Sequence, residues 1–198
     1  MGLKKQAGPF VTAGILAGGG SRRFGRDKAH YPLRGRSLVQ WTVDGARCMT
    51  DEIFILAKNE DAFRLNGTEV LTDSSPVSTP LNGIRSVIPR VHHWLLLLAC
   101  DIPFFGPEVL ELLWENRSIG EATVIRTEGR YHPFPALYPL PVLPLWEEAL
   151  RTGTYHLQRT VERMPRRILT EDDLLSRGIR PEALHNINTP EDLKRFMA

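Results

Sequence analysis

The chain has 198 residues, 42% of them hydrophobic and 24% charged, with a net charge of +2. These values describe an ordinary globular protein with enough chain for a full core, and they exclude a disordered or fibrous one. The small net charge argues against a nucleic-acid partner, and the two cysteines, Cys48 and Cys100, suit neither a disulfide framework nor a zinc ribbon, so a reducing cytoplasmic setting is expected.

At the N-terminus, Lys4 and Lys5 precede an apolar stretch, but Thr12, Ala13 and Gly14 interrupt it. A buried first strand is expected there rather than a signal peptide. Gln6 stands where a myristoylation signal needs Ser or Thr. The most apolar run, Trp94 to Cys100, is too short to span a bilayer, so no membrane association is expected. Residues 1–198 read as a single domain, with 1–9 as a flexible lead. After the first strand, Ser37 to Met49 has a helical pattern with Ser37 as cap, and Glu52 to Ala57 that of a short buried strand. Asp61 to Leu65 is expected as a helical turn, Glu69 to Thr72 as a strand and Leu81 to Ile88 as a helix stopped by Pro89. His92 to Ala99 is apolar on both faces, as a central parallel strand is. Pro107 to Asn116 is a helix and Ala122 to Arg126 a strand; Arg159, Arg163, Arg166 and Arg167 follow Gly153 in an expected helix. The alternation predicts an α/β fold, a three-layer Rossmann-like arrangement with a mostly parallel sheet covered by helices on both faces.

One stretch carries the strongest chemical signal: VTAGILAGGGSRRFGRDK, from Val11 to Lys28. An apolar strand delivers the chain to a sheet edge, glycines permit close backbone approach, and Arg22, Arg23 and Lys28 add positive charge. Successive N–H groups there would make an anion site suited to a polyphosphate. The P-loop pattern fails, because Arg26 and Asp27 stand where Lys and Ser/Thr are required, and GxGxxG has no third glycine in place.

Four other segments bear chemistry. Asp101, in Leu98-Ala99-Cys100-Asp101-Ile102-Pro103, follows a buried strand and would emerge at the same edge; its alternatives are a Mg²⁺ ligand or a turn cap. Asp73 with Thr79-Pro80-Leu81-Asn82-Gly83 could accept hydrogen bonds from a base or ribose, with Pro80 and Gly83 shaping a turn, or could be a plain loop-to-helix junction. His132, among Pro133 and Pro135, suits a structural role better than a catalytic one. Asn186 and Asn188, two residues apart on an extended segment, point the same way and offer both donors and acceptors. Thr189-Pro190-Glu191-Asp192 is a helix start.

The segment Leu16-Ala17-Gly18-Gly19 with Arg23, Phe24, Gly25, Asp27 and Lys28 resembles the signature of the nucleotidyltransferases of molybdenum cofactor synthesis, the molybdenum cofactor guanylyltransferases, with wider kinship to sugar-nucleotide pyrophosphorylases. The likeness continues through Asp101 with Pro103, through Asp73 with Pro80-Leu81 and Gly83, and through Asn186-Ile187-Asn188-Thr189-Pro190. It implies transfer of GMP from GTP to the phosphate of molybdopterin, releasing pyrophosphate. It further implies Arg23, Lys28 and Asp101 as catalytic groups and Asp101 as the Mg²⁺ ligand. Leu16, Ala17, Gly18, Gly19, Lys28, Asp73, Pro80 and Asp101 would meet the nucleotide, and Asn186 and Asn188 the acceptor. Gly18-Gly19 resembles guanine-using members rather than cytosine-using ones. Transient contact with molybdoenzyme-maturation proteins belongs to the same expectation. A cytidylyl or sugar-phosphate transferase, or a non-catalytic nucleotide-binding module, stays open on sequence.

Overall fold

The computed structural model describes residues 2–17, 28–59, 63, 65–73, 75, 77, 79–189 and 191–192. Gly18, Gly19 and Arg23 of the glycine-rich stretch, and most of the expected turn at Asp61 to Leu65, lie outside the described residues.

The first helix, α1 (Leu3–Ala7), falls within the stretch expected as a flexible lead. It is tied down by the fully buried Ala7 and by a Lys4–Asp51 ion pair. Strand β1 (Val11–Leu16) follows, then a small hairpin of β2 (Pro32–Leu33) and β3 (Arg36–Ser37). Arg34 and Gly35 turn that hairpin with φ of 49° and 78°, the left-handed pair that a tight two-residue loop requires. Helix α2 (Leu38–Ala46) starts where the sequence places it, with the Ser37 hydroxyl accepting from the Gln40 N–H. Then come β4 (Ile53–Ala57), β5 (Glu69–Thr72), α3 (Pro80–Val87), β6 (Trp94–Ala99), α4 (Gly106–Glu115), β7 (Ala122–Thr127), β8 (Arg130–Pro139), α5 (Pro144–Arg151), α6 (Leu157–Arg163), β9 (Arg166–Leu169) and α7 (Glu171–Ser176).

The main sheet has seven strands in the order β5-β4-β1-β6-β8-β7-β9, and only β8 runs against the others. Side chains alternate between two cores, as the two-residue period of a strand requires. Ala13, Ile15, Ile53, Ile55, Leu96 and Leu98 face one layer. Phe54, Leu56, Leu95 and Leu97 face the other, with α3 and α5. All four of Leu95 to Leu98 are fully buried, in keeping with a central strand.

The chain winds from β1 outward to β4 and β5, then returns to lay β6 on the opposite side of β1. The connections after β1 and β6 therefore leave in opposite directions from adjacent strand ends, and a crevice opens between them. Leu16 pairs with Ala99 at that end, and the Cys100 N–H donates to the Leu16 carbonyl at 3.0 Å.

Two elements differ from expectation. Arg166 and Arg167 sit on β9, not on a continued helix, because Pro165 ends the helical stretch and the chain pairs with β7 instead. Gly83 lies inside α3, within the helix expected over Leu81 to Ile88, and not in the turn also expected of it: an added Cβ would come within 3.2 Å of both Leu16 Cδ2 and Leu56 Cβ. The missing side chain lets α3 lie directly on β1 and β4. A Gly83→Val variant should lose roughly 2 kcal/mol of stability through overpacking, read as a lower urea midpoint with an unchanged slope.

Candidate active site at the β1–β6 switch point

Lys28 opens a short 3-10 turn, Lys28–His30, immediately before the small hairpin. Its residue is only 8% exposed, unusual for a lysine, so its ammonium needs partners inside the protein. Two lie at hand. Lys28 Nζ stands 3.4 Å from Asp101 Oδ2 and donates to Asn188 Oδ1 at 3.1 Å. The three residues come from the loop after β1, the loop after β6 and the C-terminal segment.

The same meeting is fastened through the backbone. The Ile187 N–H donates to the Asp101 carbonyl at 2.8 Å. Ile187 is fully buried against Leu33 and Leu38, so the small hairpin and the start of α2 form the seat on which the C-terminal segment rests. Beyond it, Asp192 Oδ2 accepts from the N–H groups of Asn188 (2.7 Å) and Thr189 (2.9 Å), and Thr189 Oγ1 accepts from the Asp192 N–H. That reciprocal cap is the helix start expected from Thr189 to Asp192.

Asp101 divides its two oxygens. Oδ2 faces Lys28, whereas Oδ1 is buried and has no hydrogen-bond partner among the described residues. An orphaned carboxylate oxygen is costly unless something of positive charge completes it. Among the described residues no three His, Cys, Asp or Glu side chains gather as a metal cage. Mg²⁺ asks for less, since it keeps waters and substrate phosphates and uses one or two carboxylates, so this donor set fits it.

Beside Asp101, Ile102 borders an open cleft of about 380 Å³. Thr127, His132 and Phe134 of the β7–β8 hairpin, Gln158 of α6, and Asn186 and Asn188 of the C-terminal segment line it. The hairpin register shifts between Thr123 and Ile125, opposite the stretch containing Pro133 and Pro135, which lack N–H donors for a regular ladder. Part of that stretch lines the cleft. Arg166 braces the hairpin through Tyr131: its guanidinium lies 4.6 Å from the Tyr131 ring centroid and donates to the Tyr131 hydroxyl, which holds that phenol below its usual pKa.

Comparison with known proteins matches this arrangement to a family. Residues 13–168 match the MobA-like NTP transferase domain. The chain belongs to that family. A molybdenum cofactor guanylyltransferase from Pseudomonas syringae is 33% identical, the match covering 89% of this chain and 88% of the relative. A probable molybdenum cofactor guanylyltransferase from Carboxydothermus hydrogenoformans is 29% identical over 94% of this chain and 95% of its own. Among solved structures, molybdopterin-guanine dinucleotide biosynthesis protein A from Archaeoglobus fulgidus superposes with a TM-score of 0.76 at 25% identity, covering 93% of this chain and 95% of that one. The fold is shared more widely, with a 2-C-methyl-D-erythritol 4-phosphate cytidylyltransferase from Thermus thermophilus at a TM-score of 0.68 and 19% identity. Among the described residues, no helix of this MobA-like domain is long and apolar enough to cross a membrane.

The remaining residues expected at the site are placed less centrally. Leu16 and Ala17 end β1 at the crevice, but the Ala17 N–H is engaged by the Leu56 carbonyl at 3.0 Å and is not free to hold a phosphate. Asp73 follows β5 at the same edge, two strands away from β1, and its Oδ1 accepts from the Ser75 N–H, closing a local turn. Pro80 is the exposed first residue of α3, capped by Thr79. The stretch from Arg130 to Tyr138, whose His132-Pro133 and Ala136-Leu137 resemble a family strand bordering the acceptor pocket, does line the cleft through Arg130 to Phe134, whereas Thr127, Gln158 and the link from Lys28 to Asn188 were not among the expected site contacts.

His132 serves the wall, with Nε2 2.6 Å from Thr127 Oγ1. Burial, then the charge of His185, holds its imidazole below the usual 6.5, with Glu128 opposing. The folded protein thus takes up this proton less readily than the unfolded chain, so the contribution is absent above pH 6.5 and destabilises as pH falls below it. An NMR titration of the His132 ring should give a midpoint under 6.5, and a His132→Gln variant should lose less stability than the parent on acidification from 6.5.

Proposed function

We propose that this chain transfers GMP from GTP to the terminal phosphate of molybdopterin, giving the guanine dinucleotide cofactor and pyrophosphate. The observation that carries the reading is the convergence of Lys28, Asp101 and Asn188 at the β1–β6 crevice, beside a cleft walled by Asn186. A triphosphate site and an acceptor site are thereby joined at one ammonium group. The family and the relatives named above supply the chemical class.

The acceptor phosphate attacks the α-phosphorus of GTP in line with the departing pyrophosphate. One oxygen–phosphorus bond forms as the bond between the α-phosphorus and its bridging oxygen breaks, and the charge leaves on pyrophosphate. The attacking phosphate is already anionic near neutral pH, so no side chain need remove a proton. Catalysis then rests on positioning and on positive charge where negative charge gathers. Lys28 supplies that charge from a fixed, mostly buried place, and Arg23 would add to it. Asp101 Oδ1 would hold Mg²⁺, which when bound neutralises phosphate oxygens and polarises the α-phosphorus. Asn186 and Asn188 offer amide donors and acceptors to the molybdopterin in the adjoining cleft. Gly18-Gly19 supports guanine over cytosine as the base.

Pyrophosphate release measured with molybdopterin and Mg²⁺ tests this. Release is expected with GTP and not with CTP, and Asp101→Asn should lower it roughly 100-fold or more. Release with CTP in place of GTP would reassign the base. Undiminished activity in Asp101→Asn would remove the metal role.

A further inference from the structure

The geometry points to Asn188 as a positioning residue for Lys28, acting on the nucleotide and not solely on the acceptor. This rests on the reading of Lys28 as a ligand of the triphosphate.

Three observations support it. First, Lys28 is a flexible side chain that must present its ammonium group at one place, and Asn188 Oδ1 at 3.1 Å lies closer to Nζ than Asp101 Oδ2 at 3.4 Å. Second, Asn188 is itself held before any ligand arrives. Its preceding residue is buried and tied to the Asp101 carbonyl, and its own N–H is bound by Asp192. An acceptor fixed in advance orders the lysine at little further entropic cost. Third, the chemistry of an amide suits the task. A neutral carbonyl oxygen accepts a hydrogen bond from the ammonium without cancelling its charge, which remains available to phosphate oxygens. A second carboxylate there would hold the lysine equally well but would compete with the substrate for its charge.

Asn188 also lines the cleft while its Oδ1 accepts from Lys28. Asn186 is exposed on the cleft wall and, among the described residues, makes no hydrogen bond to Lys28. The two asparagines therefore divide: Asn186 belongs to the acceptor alone, and Asn188 couples the acceptor segment to the nucleotide.

The test is the equilibrium affinity of the full chain for GTP with Mg²⁺ and no acceptor present, a readout that a residue serving only the acceptor does not move. It is made on the parent, Asn188→Ala, Lys28→Ala and the double variant. Asn188→Ala should bind GTP about tenfold more weakly, the scale of one hydrogen bond to a charged group. The double variant should bind no more weakly than Lys28→Ala alone, because Asn188 acts through the lysine. Parent-like affinity in Asn188→Ala would overturn the proposal. So would an equal loss from Asn188→Ala on the Lys28→Ala background, which is also what a general loosening of the C-terminal segment would give. Parent-like affinity in Lys28→Ala would instead remove the reading of Lys28 itself, and the proposal with it.

Discussion

A mostly buried ammonium group, shared between a carboxylate and an amide, holds this site together. Lys28 Nζ lies between Asp101 Oδ2 and Asn188 Oδ1, residues 73 and 160 positions away from it in the chain. Such a charge is tolerated inside a protein only when it is paired or hydrogen-bonded, and each partner arrives by a different route. Asp101 comes from the end of β6, Asn188 from a segment seated on the small hairpin, and Lys28 from the loop after β1. The sheet order makes this possible: β1 and β6 are neighbours whose connections diverge, so their carboxyl ends share a crevice.

The packing serves that crevice. Gly83 brings α3 against Leu16 and Leu56 directly beneath the end of β1, and Ile187 buries itself beside Leu33 and Leu38. The site is thus supported from both layers. The β7–β8 hairpin, braced by Arg166 on Tyr131, lines the cleft proposed for the acceptor. Asp101 and Asn188, from opposite ends of the second half of the chain, are bridged by the Lys28 side chain.

Much of this was legible in the chain itself. The apolar run ending in glycines marked β1 and its loop, the doubly apolar Leu95 to Leu98 marked the centre of the sheet, and an acid just past it marked Asp101. Ser37 and Thr189 announced their helix starts through cap chemistry. What failed to show was long-range or composite. No spacing reveals that residue 188 reaches residue 28, because the pairing depends on strand order and on a hairpin seat. Gly83 looked like a turn residue because glycine tolerates turns, and its use for close packing depends on which strands lie beneath. Arg166 and Arg167 followed a helical stretch, and only Pro165 hinted that the chain would become a strand there. The local turn in which Asp73 Oδ1 accepts from the Ser75 N–H was likewise not announced by the spacing of the loop.

The most direct measurement is diffraction from crystals grown with GTP and Mn²⁺, with the ion located by its anomalous scattering. The account predicts one peak at coordination distance, about 2.1–2.3 Å, from Asp101 Oδ1, with Lys28 Nζ against the phosphates and still held by Asn188. A metal peak on other ligands, with Oδ1 of Asp101 left without a partner beside a bound nucleotide, would contradict it.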